Sequence, residues 1–152
     1  MSGLKNLKVL KSKEIKQIRN LIREQWGAEL DENLVFFLNT KENKVFITNP
    51  EIAQIHFQNF NINTIGLYLG ELQEKDFRPS IEGAQLIGKT ATQHVLEIAE
   101  EEALSYLQGK DLEKETDLEG YIILRTKRDI IGTSIKKENK LLNFYPKTRR
   151  LP

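Results

Sequence analysis

The chain contains no cysteine, which rules out disulfides, thiolate metal sites and a cysteine nucleophile. Only two histidines occur, His56 and His94, far apart in sequence, and both read as ordinary side chains. A zinc or non-haem iron centre would need carboxylates for most of its ligands, so no metal site is expected. No apolar run approaches the ~18 residues of a membrane span, and no basic-then-apolar leader precedes a cleavage site. The cytoplasm is therefore the expected location. The G-x-G-x-x-G loop of dinucleotide sites is absent, and no Ser/His/Asp set or paired carboxylates stand out. No catalytic residue and no cofactor are expected.

What the chain has in abundance is charge, and the charge is sorted along its length. The net charge over 152 residues is only +1. Yet Tyr121–Pro152 holds nine basic side chains against two acids, Asp129 and Glu138. Residues 1–23 hold seven basic groups against one acid, Glu14, while residues 24–120 hold seven against nineteen. Both ends are basic and the middle is acidic. Such sorting is the footprint of a surface that meets a polyanion, although solvated Lys and Arg on exposed strands would look the same.

Periodicity divides the chain into short elements. Ile15, Ile18, Leu21, Ile22 and Trp26 form one stripe of an amphipathic helix, with Ser12 as expected N-cap and Gly27 past its end. Residues 35–38 and 45–47 are apolar runs joined by a polar turn, which predicts a β-hairpin. Asn49-Pro50 predicts a second helix reaching about Phe57. A long strand is expected over Ile62–Leu72, where Gly66 and Gly70 mark a bulge or close approach. Phe77–Ser80 reads as a loop in which Ser80 caps a helix to Ile87. A short strand over Val95–Ala99 then leads to a helix over Glu100–Leu107, with acids in its first turn and Gly109 as its stop. Three strands are expected at about 121–127, 130–136 and 140–145, with Asp129 and Glu138-Asn139 in the two turns. The pattern predicts an α+β protein: an α/β module over 1–62, then a small mixed barrel with two short helices over 63–152.

The second half resembles a PUA domain, the compact pseudo-barrel that accompanies many RNA-modifying and ribosome-assembly proteins. The resemblance runs from Ile65 to Leu151 through IGLYLGEL (65–72), FRPSIEGAQLIG (77–88), EEALSYLQGKDL (101–112) and GYIILRTKRDIIGTSIKKENKLLNFYPKTRRL (120–151). The ending, with Ile131-Gly132 and Asn143-Phe144-Tyr145-Pro146-Lys147, is similar to the C-terminal PUA-like domain of the Sun/Fmu rRNA cytosine-5 methyltransferases and their stand-alone archaeal relatives. An α/β domain before a PUA domain also resembles the Nip-seven ribosome-biogenesis factors. The basic first helix paired with a PUA domain resembles MCT-type translation factors.

The resemblance implies binding of structured RNA, rRNA or tRNA, as an accessory to modification or ribosome assembly. Cytosine-5 methylation needs a cysteine thiolate to attack the base, so this chain is expected to bind and not to methylate. The candidate RNA contacts are Lys110, Arg125, Lys127, Arg128, Lys136, Lys137, Lys140, Tyr145, Lys147, Arg149 and Arg150. Lys147, Arg149 and Arg150 beside Phe144 and Tyr145 combine phosphate charge with stacking faces. Strand alternation would turn one of those aromatics inward and leave the other as the stacking candidate. By the resemblance, the backbone of Gly109-Lys110-Asp111 would line the RNA groove. A second basic surface is expected on the first helix from Lys13, Lys16, Arg19 and Arg23. Two other readings remain open: an adaptor that docks a separate methyltransferase or ribosome-assembly protein, and a small RNA- or nucleotide-processing enzyme.

Overall fold

A computed structural model describes residues 6–49 and 66–152. The expected helix after Asn49-Pro50, His56 and the first residues of the long strand lie outside the described residues. Among those described are three α-helices and ten short strands, the strands forming two five-stranded sheets.

The first sheet takes β1 (Leu7–Val9), β2 (Val35–Asn39), β3 (Lys44–Thr48), β4 (Leu67–Leu72) and β5 (Phe77–Pro79) in sequence order, all antiparallel. Helix α1 (Ser12–Trp26) packs its Ile18, Ile22 and Trp26 stripe into the core. Ser12 is the first helical residue and not the cap. Glu14 does the capping by accepting the Lys11 backbone N–H at 3.2 Å. Gly27 closes the helix in the left-handed conformation, as expected. The β2–β3 hairpin forms where predicted, and the Asn39 carboxamide oxygen accepts the N–H groups of Lys41 and Glu42 to make its turn.

The segment expected to be a loop at residue 77 is instead β5, an edge strand ending in Pro79, a residue that an edge tolerates. Consequently β4 pairs with β3, and β5 with β4, in the first sheet, although the sequence placed them in the second unit. The Gly-containing strand also carries the expected irregularity. Val45 faces Gly70 while Phe46 faces Tyr68, so Leu69 is the extra residue of a bulge and drops into the core.

The second sheet has the order β6 (Val95–Glu97), β8 (Tyr121–Arg125), β9 (Ile130–Lys137), β10 (Lys140–Leu141) and β7 (Leu112–Glu113). Its β6–β8 pair is parallel and the others are antiparallel. Helix α2 (Ile81–Gly88) lies along β9, and α3 (Glu100–Leu107) follows β6. Strand β7 was not foreseen, because two residues carry no periodicity. Strand β10 stops at Leu141. The remainder of the expected last strand is irregular chain that leads to a 3₁₀ turn at Lys147–Arg149.

Strand β8 shows how two cores meet on one sheet. Its apolar run Tyr121–Leu124 is buried on both faces, as a continuous apolar strand should be. Tyr121 and Ile123 join Trp26, Phe36, Leu69, Phe77 and Ile87 in a core shared with the first sheet. Ile122 and Leu124 point the other way, into a smaller core with Ala103, Tyr106 and Leu141. The two halves are also tied by polar bonds: Trp26 Nε1 and Gln25 Nε2 both donate to the Tyr121 carbonyl, at 3.1 and 2.9 Å.

Helix α2 sits so close to β4 that Gly83 has no room for a side chain; a Cβ there would lie 1.8 Å from the Leu69 carbonyl oxygen. Alanine normally stabilises a helix relative to glycine by ~0.5–1 kcal/mol. Gly83→Ala is nevertheless expected to destabilise the protein by about 1–3 kcal/mol or more, the range for overpacking a rigid contact. Urea unfolding would read this as a lower midpoint at unchanged slope.

Candidate nucleic-acid interface

The tail owes its path to one side chain. Asn143 Nδ2 donates to the carbonyls of Tyr106 at 2.7 Å and Lys110 at 2.9 Å, while its Oδ1 accepts the Tyr145 N–H at 2.9 Å. The Asp111 carboxylate accepts the Asn143 N–H at 2.8 Å. This cluster ties the closing segment to the exit of α3. The link continues beyond it: the Leu151 N–H donates to the Leu107 carbonyl at 2.9 Å. Arg150 Nε donates to the Tyr145 carbonyl, and its side chain lies across Gly109. Gly109 has φ +92°, a conformation that favours glycine, and a Cβ there would fall 2.5 Å from Arg150 Cδ and push that side chain aside.

The tail is not a strand here, so alternation does not apply to its aromatics. Phe144 and Tyr145 are both half-buried, one on each core. Phe144 lies 6.1 Å from the Tyr121 ring, and Tyr145 meets Tyr106 edge-on at 5.8 Å. Burial also raises the Tyr106 hydroxyl pKa far above its ordinary value, so this group is a neutral donor, held 2.6 Å from the Thr133 carbonyl.

The eleven expected contacts separate into groups. Lys147, Arg149, Arg150 and Lys110 lie together around the tail and the α3 exit. Lys127 and Arg128 are exposed in a turn made tight by Thr126, whose Oγ1 accepts the N–H groups of Arg128 and Asp129. Arg125 is half-buried beside this turn and donates to the Thr126 carbonyl. Lys137 and Lys140 face each other at the opposite end of β9, with Glu113 across from Lys140. Eight residues of strand separate these two ends by roughly 23 Å. Lys136 is used internally, donating to the Thr116 carbonyl at 3.0 Å and pairing with Glu119 at 3.4 Å. On α1, Arg19 donates to the carbonyls of Leu30 and Asp31 and lies over Phe36, while Arg23 pairs with Glu29 at 2.6 Å. Lys13 and Lys16 remain exposed.

Three residues that the sequence reading passed over complete the surface beside the tail. Lys44 of β3, Tyr68 of β4 and Arg78 of β5 line a cleft of about 310 Å³ together with Phe144 and Arg149. Lys44 Nζ lies 5.6 Å from the Tyr68 ring centre, and the Arg78 guanidinium 5.4 Å from that of Phe144. Each cation also holds a carboxylate: Lys44 with Glu42, Arg78 with Glu71 and Arg149 with Glu82, at 2.9, 3.1 and 2.7 Å. Arg78 had a legible signal, since it stands two residues before the Ser80 cap of α2, where the dipole favours anions. Lys44 and Tyr68 had none, because only strand register brings them here. Among the described residues no cluster of His, Cys, Asp or Glu is suited to a metal, and no helix is long and apolar enough to cross a membrane.

Asn143→Ala removes three side-chain hydrogen bonds. At roughly 0.5–1.5 kcal/mol each, the expected loss is about 1.5–4.5 kcal/mol. Hydrogen exchange should find lowered protection at Leu151 and Tyr145 before any change in β8.

Residues 93–151 match the family model described as the methyltransferase RsmF PUA domain. Residues 7–81 match the one described as the NIP7/UPF0113 pre-PUA domain. Residues 65–79, which the resemblance assigned to the PUA half, fall within the second match, in agreement with their pairing in the first sheet. Comparison with curated proteins gave no match. In its two halves the chain is thus similar to a NIP7-type pre-PUA domain followed by an RsmF-type PUA domain, a PUA-type α+β architecture.

Proposed function

We propose that this protein binds structured RNA, rRNA or tRNA, through its clamped tail and the adjoining exit of α3, as an accessory to RNA modification or ribosome assembly in the cytoplasm. The observation that carries this reading is the Asn143 cluster. It fixes Lys147, Arg149 and Arg150 on a scaffold next to Gly109-Lys110, and so lowers the ordering cost of presenting those charges to a polyanion. Similarity to two domains named for a methyltransferase and a ribosome-biogenesis family supports the same reading. The protein acts without chemistry of its own: its sequence holds no cysteine for attack on cytosine.

Affinity in this reading is dominated by phosphate contacts and falls with salt. Replacing Lys147, Arg149 and Arg150 together by alanine is expected to weaken RNA binding and flatten the salt slope by up to about 2, at ~0.7 per lost single-strand contact. Lys137→Ala/Lys140→Ala, at the far end of β9, serves as the comparison and should change the slope less. An unchanged slope in the triple variant would sink the assignment. Negligible RNA affinity at physiological salt, together with a co-purifying methyltransferase or ribosome-assembly protein, would favour the adaptor reading.

A further inference from the structure

The cleft beside the tail is lined by polar and apolar groups alike. Thr133 lines it, is only 3% exposed, and its Oγ1 has no hydrogen-bond partner among the described residues. Native proteins keep few such groups, and one that lines a cleft has an obvious use for its unspent donor. The first turn of α2 forms one wall through Ser80, Ile81 and Glu82. Ser80 Oγ accepts the Gly83 N–H, which leaves the earliest amides of the helix without an intrahelical acceptor. Helix start, buried hydroxyl and rim cations are independent features, and all three favour an anion.

The shape of the charge narrows the anion further. Arg78, Arg149 and Lys44 reach the cleft from β5, the tail and β3, that is, from separate directions. A tetrahedral phosphoryl group can satisfy donors arriving from several sides, whereas a carboxylate offers two oxygens in one plane. The volume of about 310 Å³ exceeds what a bare phosphate fills and lies at the lower end of the range for small-molecule sites. The half-buried aromatics Tyr68 and Phe144 supply apolar wall for the rest of a nucleotide. The three carboxylates do not close the site. They sit in solvent-accessible ion pairs, which are weak and exchangeable. Glu82, in the first turn of α2 and against Arg149, occupies the place an incoming anion would take.

We propose that this cleft binds a nucleotide phosphoryl group, carried at the end of an RNA strand or on a free mononucleotide. Arg149, Arg78 and the start of α2 hold its oxygens, the Thr133 hydroxyl donates from the floor, and Glu82 is an internal competitor. Only the strand-borne source rests on the RNA-binding reading above.

The test uses the full chain and one RNA sequence with a 5′-phosphate, a 3′-phosphate or hydroxyl ends, alongside uridine and adenosine monophosphate. A terminal phosphate is expected to raise affinity about tenfold or more, in line with one or two charge-assisted hydrogen bonds. Arg149→Ala and Thr133→Val should abolish that preference, and Thr133→Val should do so with an unchanged or higher melting temperature. Glu82→Gln should strengthen it. If mononucleotides bind and Arg149→Ala abolishes their binding while no RNA binds, the cleft stands with a free nucleotide as its ligand and the RNA reading falls. If all RNA ends bind equally with the salt slope intact and mononucleotides do not bind, this proposal is overturned and the RNA reading stands.

Discussion

Trp26 is buried completely at the end of α1, and its indole N–H reaches the carbonyl of Tyr121, 95 residues further along the chain. Around that bond the apolar faces of α1, β4, α2 and β8 meet in a single core. Everything at the candidate interface depends on this joint. The cleft beside the tail takes Lys44, Tyr68 and Arg78 from one sheet and Thr133, Phe144 and Arg149 from the other side of it. If the two halves shifted against each other, the cations would disperse and the cleft would open. Replacing such a residue by alanine typically costs ~3–5 kcal/mol, a large part of the ~5–15 kcal/mol that usually stabilises a domain.

The tail is organised by a different economy. It contributes few buried apolar atoms, and hydrogen bonds from one carboxamide fix it to the end of α3. Asn suits this position because it donates two N–H bonds and accepts one through a single short side chain. An aspartate would set its charge against two carbonyl oxygens. The Asn-aromatic-Pro-Lys ending therefore reads as a structural clamp whose product is the fixed placement of Lys147, Arg149 and Arg150. The flanking aromatics serve the clamp as well, since Phe144 and Tyr145 each fill a gap at the edge of a core.

The nine basic groups of the last 32 residues looked like one surface in the sequence, and the fold divides them. Charge along a chain says nothing about the distance that a straight strand puts between two turns. Lys127 and Arg128 sit in the turn that enters β9, and Lys137 and Lys140 flank the turn that leaves it. Lys136 and Arg19 spend their donors within the protein, on carbonyls supplied by other segments. What unites is the tail with the α3 exit, and beside them a cleft to which the acidic middle of the chain contributes Lys44 and Arg78.

By itself the sequence determined the elements with strong local signals. The α1 stripe, the β2–β3 hairpin, the Ser80 cap and the acid-led α3 all follow from periodicity and capping, which act within a few residues. It also determined what the chain lacks, because the absence of cysteine needs no fold to interpret. Tertiary structure alone decided which sheet received β4 and β5, since strand pairing is settled by partners far away in sequence and by a bulge that lets Leu69 reach the core. It alone ended the last strand at Leu141, where Asn143 finds better partners on α3 than a neighbouring strand would offer. And it alone gathered Lys44, Arg78 and Arg149 around one cleft, because long-range register and not local propensity fixes where a side chain meets another.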